Sequence, residues 1–317
     1  MIQPWVIDGH CDSLGGFLSG KRTLKEDTED GHWNIPRAKQ GKIGLQFLAA
    51  FIESEFKPAQ ATLRGLQLIE AAHRLIKENP NELFLIRQKK DLQALPEEKR
   101  IGLLLSVEGG EILGESLFLL DIIYELGVRA LGLTWNQRNA IADGIGEYGT
   151  ESRLTRFGVK VVRRMNELGM IVDVSHLNEP GFWHVLEISE QPIIASHSCS
   201  YALCPHPRNL TDAQLKALAQ NGGLVGVNFF PKFLNPSGRA GIDDVVRHIS
   251  HIAEIAGIDS VGLGSDFDGI EEVPEGLEHA GKYIVLAEKL DKAGFTTVEI
   301  SKIFHGNFMR LLSCVLK

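Results

Sequence analysis

A histidine and an aspartate stand two residues apart in Trp5-Val6-Ile7-Asp8-Gly9-His10-Cys11-Asp12, at the end of a short apolar run. Residues two apart on an extended chain share a face, so His10 and Asp12 point one way and Cys11 the other, as a pair binding one metal requires. Four further apolar runs end on groups of the same kind: Ile101 to Val107 at Glu108, Met170 to Ser175 at His176, Pro192 to Ser196 at His197, and Ser260 to Ser265 at Asp266. A carboxylate after Leu103-Leu104-Leu105-Ser106-Val107 needs a partner, because an unpaired buried charge is costly. Glu108 therefore reads as a ligand bridging two metals, and Glu111 as the solvated carboxylate of the loop Gly109-Gly110-Glu111. A lone histidine is more often structural than ligating, but two at equivalent ends of adjacent strands reverse that expectation. Carboxylate and imidazole donors together suit zinc better than magnesium or calcium. Two ions sharing Glu108 would lie ~3.5–4 Å apart and hold a bridging hydroxide. Metal-dependent hydrolysis is the chemistry these groups suggest.

Asp266, in Gly264-Ser265-Asp266-Phe267-Asp268-Gly269, is placed to take the proton of an attacking water and pass it to a leaving amine. Asp268, before a glycine, reads as a turn residue. Arg208 lies in Pro205-His206-Pro207-Arg208-Asn209, stiffened by two prolines, where a guanidinium grips a carboxylate in bidentate fashion. Its bland alternative is a surface arginine paired with Asp212. His73, His184, His248, His251, His279 and His305 read as structural or solvated, and His32 lies in the long first loop.

The elements that must position these groups are eight strands, roughly Trp5–Asp8, Ile43–Phe51, Ile101–Val107, Ala130–Thr134, Met170–Val174, Pro192–Ser196, Leu224–Asn228 and Val261–Gly264. Most are continuous apolar runs, as in strands buried on both faces. Helical patterns lie between them. Thr62 to Glu78 sets Leu63, Leu66, Ile69, Ala72 and Ile76 on one side, and Gly158 to Leu168 ends at the C-cap candidate Gly169. Further helices start at Thr211-Asp212, span Gly241 to Ala256, and open at Thr296 or Thr297 with Glu299 in the first turn. This alternation predicts one α/β domain, 1–317, folded as a (β/α)8 TIM-type barrel with its site at the C-terminal ends of the strands. A doubly wound open sheet is the alternative, but it would not gather ligand types from the first, third, fifth, sixth and eighth strands. Lys21 to Asn34 and Ile141 to Arg153 read as long loops shaping the pocket.

The chain of 317 residues is 44% hydrophobic and 23% charged, ordinary for a globular protein with one large core. A net charge of −8 without a Lys/Arg run argues against nucleic acid or an anionic membrane surface as a partner. Four cysteines without C-x-x-C pairing read as reduced thiols. Neither a secretion signal nor a lipid-anchor signal is visible, and no apolar run approaches the ~20 residues of a membrane span. A cytoplasmic location is the expectation.

These residues resemble the membrane (renal) dipeptidase family of zinc metallopeptidases, amidohydrolase-type barrels. The resemblance extends from Asp8-Gly9-His10-Cys11-Asp12 to Gly306-Asn307-Phe308-Met309-Arg310. It takes in Ser106-Val107-Glu108-Gly109, Val172-Asp173-Val174-Ser175-His176, Ala195-Ser196-His197-Ser198, His206-Pro207-Arg208-Asn209, Gly264 to Gly269 and Val273-Pro274-Glu275-Gly276-Leu277-Glu278. It implies two Zn2+ ions per chain, one on His10, Asp12 and Glu108 and the other on Glu108, His176 and His197. Asp266 carries over as proton shuttle and Arg208 as the holder of the substrate's C-terminal carboxylate. The implied reaction is hydrolysis of dipeptides, including L-Xaa-D-Xaa substrates, by a homodimer.

Two positions depart from the renal-type pattern. In Leu133-Thr134-Trp135-Asn136, Trp135 stands where those enzymes have a histidine near the scissile carbonyl, with Asn136 or Asn139 as substitute donors. Phe230 stands where they carry a tyrosine. Losing one oxyanion donor costs on the order of 10²–10³ in rate, so these changes bear on rate and preference and leave metal binding intact. Trp135 motivates a competing reading as an amidase or lactonase on the same centre. A metal-binding module with little catalysis is a third, against which Asp266 stands, since a binder needs no proton shuttle.

Overall fold

The computed structural model describes residues 4–317 apart from 29, 96–98 and 148. Its strands are β1 (Val6–Asp8), β2 (Ile43–Phe51), β3 (Leu83–Leu85), β4 (Ile101–Glu108), β5 (Val128–Gly132), β6 (Ile171–Asp173), β7 (Ile194–Ser198), β8 (Leu224–Val227) and β9 (Val261–Leu263). All pair in parallel. β9 returns to β1 through Asp8 and Leu263, and β2 runs beside β4 from Leu45–Gly102 to Phe51–Glu108, so eight strands close a barrel. That closure excludes the open doubly wound sheet. β3, absent from the sequence reading, stays outside the ring. It takes the edge of β4 at Ile101–Leu103, below Leu105 where β5 joins. The expected barrel strands recur with ends shifted by one or two residues.

Local chemistry sets the helix ends. Thr155 accepts from Gly158 N at the start of helix Arg156–Leu168, and Gly169 ends it in the left-handed conformation at φ 77. Capping boxes open helices Asp212–Gln220, through Thr211 and Gln214, and Thr297–Ser301, through Thr296 and Glu299. Helix Ala61–Glu78 buries Gly65, Leu68, Ile69, Ala72 and Leu75. Leu63, expected on that face, is 60% exposed.

Two apolar layers hold the barrel. One lies between strands and surrounding helices; the other fills the barrel with Ile7, Phe47, Leu104, Ile171, Ile194 and Leu224. The C-terminal helix Asn307–Val315 adds Phe308, Leu311 and Leu312 to that inner layer, with the Phe308 ring 5.3 Å from Phe47. Asn307 Nδ2 donates to Ile258 O and Val261 O, and His305 Nδ1 pairs with Trp5 O, so this helix closes the mouth where the strands begin. The opposite mouth is left for chemistry. No helix among the described residues is long and apolar enough to cross a membrane.

Candidate metal centre

The C-terminal ends of β1, β4, β6, β7 and β9 bring His10, Asp12, Glu108, His176, His197 and Asp266 into one buried cluster. Glu108 lies at its middle. Its Oε2 is 3.3 Å from His10 Nε2, and its Oε1 is 2.9 Å from His176 Nε2 and 3.5 Å from His197 Nε2. Asp12 Oδ2 is 3.2 Å from His10 Nε2. His176 and Asp266 reach inward from left-handed backbone at φ 67 and 64, a region in which His and Asp are among the commoner non-glycine residues. Such strain, about 1–3 kcal/mol per residue, persists where the surroundings over-determine it.

Outer partners fix the imidazole tautomers. Ser196 Oγ donates to Asp173 Oδ2 and therefore accepts from His197 Nδ1–H at 2.8 Å. Asn136 Oδ1, an acceptor only, takes His176 Nδ1–H at 2.7 Å. Both Nε2 atoms are left with lone pairs, and they face each other across 2.9 Å beside a carboxylate oxygen. Only a cation satisfies that arrangement, and a ligating histidine oriented by a hydrogen bond at its far nitrogen is what metal sites use. Asp12 Oδ1 is buried without a hydrogen-bond donor among the described residues. The donor set thus fits divalent metal ions of the zinc type.

The electrostatics agree. Burial pushes His197 down to about 3, helped by His10, and burial with Arg208 holds His176 well below the usual imidazole range, so both are neutral. Burial also opposes charge on His10, but Asp12 and Glu108 outweigh it and hold a proton there well above the ordinary range, in the place that a bound cation would take from it. Glu108 stays ionised despite burial because the charge on His10, and the hydrogen bond from it, favour the carboxylate. Burial, with Asp12 and Glu108 and against His10, raises Asp266 to about 7, where a carboxyl exchanges protons near neutrality.

Two cavities meet at His176. One, of about 750 Å³, is lined by Arg208, Leu177, Asn178, Trp183 and Tyr201. The other, of about 810 Å³, is lined by Asp12, Glu108, Phe51, Trp135, Asn136, Phe230 and Asp266. Arg208 is 6% exposed and unconnected to Asp212, which pairs with His251 instead. Its Nη2 donates to His197 O at 3.0 Å and its Nη1 to Ser198 Oγ at 3.3 Å, while Nε has no partner among the described residues.

Some expectations change. Glu111 is not solvated: it is buried and ion-paired with Lys57. Asn139 gives its Nδ2 to Leu133 O and takes Ile141 N and Ala142 N on its Oδ1, while Asn136 turns its Oδ1 to His176 and lines the larger cavity. Asp268 does more than turn the chain, accepting from Ser13 Oγ and His32 N and pairing with Arg22, which ties the first long loop to the site. Asp173, Ser196 and Asn228 were absent from the candidate residues. Asn228 Nδ2 donates to Asp266 Oδ2 at 2.9 Å. Asp173 and Ser196 sit within Val-Asp-Val-Ser-His and Ala-Ser-His, where a polar residue inside a buried run was the available signal.

A closed parallel barrel with a carboxylate–imidazole cluster at the C-terminal ends of its strands is the build of a metal-dependent hydrolase. The chain belongs to the membrane dipeptidase family, peptidase family M19, whose model matches residues 1–316. It is accordingly a metallodipeptidase, a hydrolase of dipeptides that depends on metal. Among solved structures, a metallo peptidase described as dipeptidase AC is 28% identical, with a TM-score of 0.94 over 99% of both chains. A metallo peptidase from Rhodobacter sphaeroides, liganded with a phosphinate mimic of the dipeptide L-Ala-D-Ala, is 27% identical, with a TM-score of 0.94 over 99% of this chain and 100% of that one. The probable dipeptidase PvdM from Pseudomonas aeruginosa, at 22% identity and a TM-score of 0.90 over 99% and 96%, shares the fold.

Gly269 offers a first test of the cluster. A Cβ there would press into Asp12 Oδ2 and Asp266 Oδ1, so only glycine lets the two carboxylates converge. Gly269→Ala is expected to lower kcat on the order of 10²-fold with unchanged far-ultraviolet circular dichroism, since displacements of about 1 Å have that effect. Wild-type kcat in the alanine variant would contradict this packing.

Proposed function

We propose that the chain, as a single barrel domain spanning 1–317, hydrolyses dipeptides at a binuclear zinc centre bridged by Glu108. His10 and Asp12 complete one zinc site, and His176 and His197 the other. The observation that carries this reading is the position of Glu108, with one oxygen toward His10 and the other toward His176 and His197. Zinc in such a site supplies Lewis acidity, polarising a carbonyl and acidifying water.

The chain's own groups supply the rest. Asn228 holds Asp266 by Oδ2, leaving Oδ1 to take a proton from the attacking water and return it to the leaving amine. Arg208, which lines the 750 Å³ cavity, grips the C-terminal carboxylate with its guanidinium. The N-terminal residue then falls in the cavity walled by Trp135 and Asn136, where the amide of Asn136 replaces the imidazole donor of renal-type enzymes. Acceptance of L-Xaa-D-Xaa substrates is part of the reading, supported by the L-Ala-D-Ala mimic bound to the Rhodobacter sphaeroides protein. So are a homodimer, carried by the family resemblance, and a cytoplasmic location, supported by four free thiols of which Cys11, Cys199 and Cys204 are buried.

The test is a panel of matched L-Xaa-L-Xaa and L-Xaa-D-Xaa dipeptides, each also as its C-terminal amide, with wild type and Arg208→Ala. Arg208→Ala should raise KM for the free acids about 10–10²-fold, as loss of a hydrogen bond to a charged group does, and change the amides little. Equal effects on acids and amides would refute carboxylate recognition by Arg208.

A further inference from the structure

A buried ion pair stands behind the aromatic wall of the larger cavity and takes no part in the chemistry above. Lys57 Nζ lies 3.3 Å from Glu111 Oε1, with side chains only 7% and 4% exposed. Neither Nζ nor either Glu111 oxygen has a hydrogen-bond partner among the described residues. Such a pair is a poor source of stability, because desolvation offsets the attraction unless further hydrogen bonds satisfy both groups. Its surroundings suggest another use. The ammonium sits over the Trp135 ring at 5.0 Å and the Phe51 ring at 5.7 Å, and those rings lie 5.3 Å apart.

We propose that Lys57, anchored by Glu111, is a positioning residue that fixes the Trp135 indole as the wall of the subsite for an apolar N-terminal side chain. A desolvated cation is attracted to aromatic faces, and here one cation faces two of the rings that line the cavity. Lys57 and Glu111 are not lining residues themselves, so they act through Trp135. Glu111 follows Glu108 by one short turn, Gly110–Leu113. Gly109 takes φ 108 there, and a Cβ on it would collide with Glu111 Oε2. The anchor is thereby tied to the strand that carries the central carboxylate. Trp135 also lies 6.0 Å from the His176 ring, which puts the wall beside the reacting centre. The subsite assignment rests on Arg208 taking the C-terminal carboxylate.

The experiment compares Lys57→Met, which keeps much of the volume and loses the charge, with Lys57→Arg and Glu111→Gln. Two dipeptide series are used, one varying the N-terminal side chain (Gly, Leu, Phe) and one the C-terminal. Lys57→Met should raise KM about tenfold for N-terminal Leu and Phe relative to Gly, with kcat within about threefold, and Lys57→Arg should restore most of the difference. In a Trp135→Ala background the same change should add nothing. Acrylamide quenching of the emission that disappears in Trp135→Phe should increase in Lys57→Met, which reads the hold on the indole independently of substrate. Should Lys57→Met fail to fold, Glu111→Gln carries the same expectations. Unchanged quenching, or an equal loss on every substrate, would overturn the positioning role. Increased quenching with the KM change confined to the C-terminal series would overturn the subsite assignment and with it the orientation drawn from Arg208.

Discussion

Glu108→Gln is expected to give a folded barrel that no longer retains both zinc ions and whose kcat/KM falls by on the order of 10⁴ or more. An amide has one acceptor oxygen. Whichever way it turns, an N–H₂ group faces either His10 Nε2 or the paired His176 and His197 nitrogens, now 2.9–3.5 Å from carboxylate oxygens. Those nitrogens must present lone pairs to a cation, so a donor in that place removes the bridge. Metal bound only by the native state also stabilises it by mass action. A chelator should therefore lower the thermal midpoint of the wild type and leave that of Glu108→Gln nearly unchanged. Zinc content by mass spectrometry and the two melting curves check this. Two retained zincs in the variant would show that Glu108 is not the bridge.

Asp266→Asn is the second large effect. Asparagine adopts left-handed backbone readily, so φ 64 is kept where alanine would add strain. The side chain also keeps its shape beside Asn228. What it loses is the ability to take and return a proton. General acid–base groups contribute about 10²–10⁴-fold, and kcat should fall by that much with KM and zinc content little changed. Asp266 also lies within reach of His10 and Asp12 as a possible ligand. A variant that loses zinc in step with activity would move Asp266 from proton shuttle to metal ligand.

The sequence made the centre legible because each group follows its own apolar run, and strand ends in a parallel barrel converge on one mouth. His10, Asp12, Glu108, His176, His197 and Asp266 needed no knowledge of neighbours. The outer partners did. Asp173 serves His197 only because β6 and β7 lie side by side, and Asn228 meets Asp266 across the ends of β8 and β9. The positive φ of His176 is one its residue type tolerates, but most histidines do not adopt it, so the sequence does not announce it. Glu111 was misread for the same reason: Gly-Gly-Glu signals a solvated loop, and the lysine that takes it inward stands 54 residues earlier in the chain (111 − 57 = 54). Leu63 follows helical periodicity yet faces outward, because periodicity gives the spacing of a face and leaves its centre undetermined. β3 is too short to stand out among apolar runs.

The most direct measurement is anomalous diffraction at the zinc edge from crystals of the zinc-loaded chain. Two peaks are expected, ~3.5–4 Å apart on either side of the Glu108 carboxylate, with His10 and Asp12 about 2.0–2.2 Å from one and His176 and His197 at the same range from the other. A single peak, or a second one displaced to Asp173, would contradict a binuclear centre bridged by Glu108.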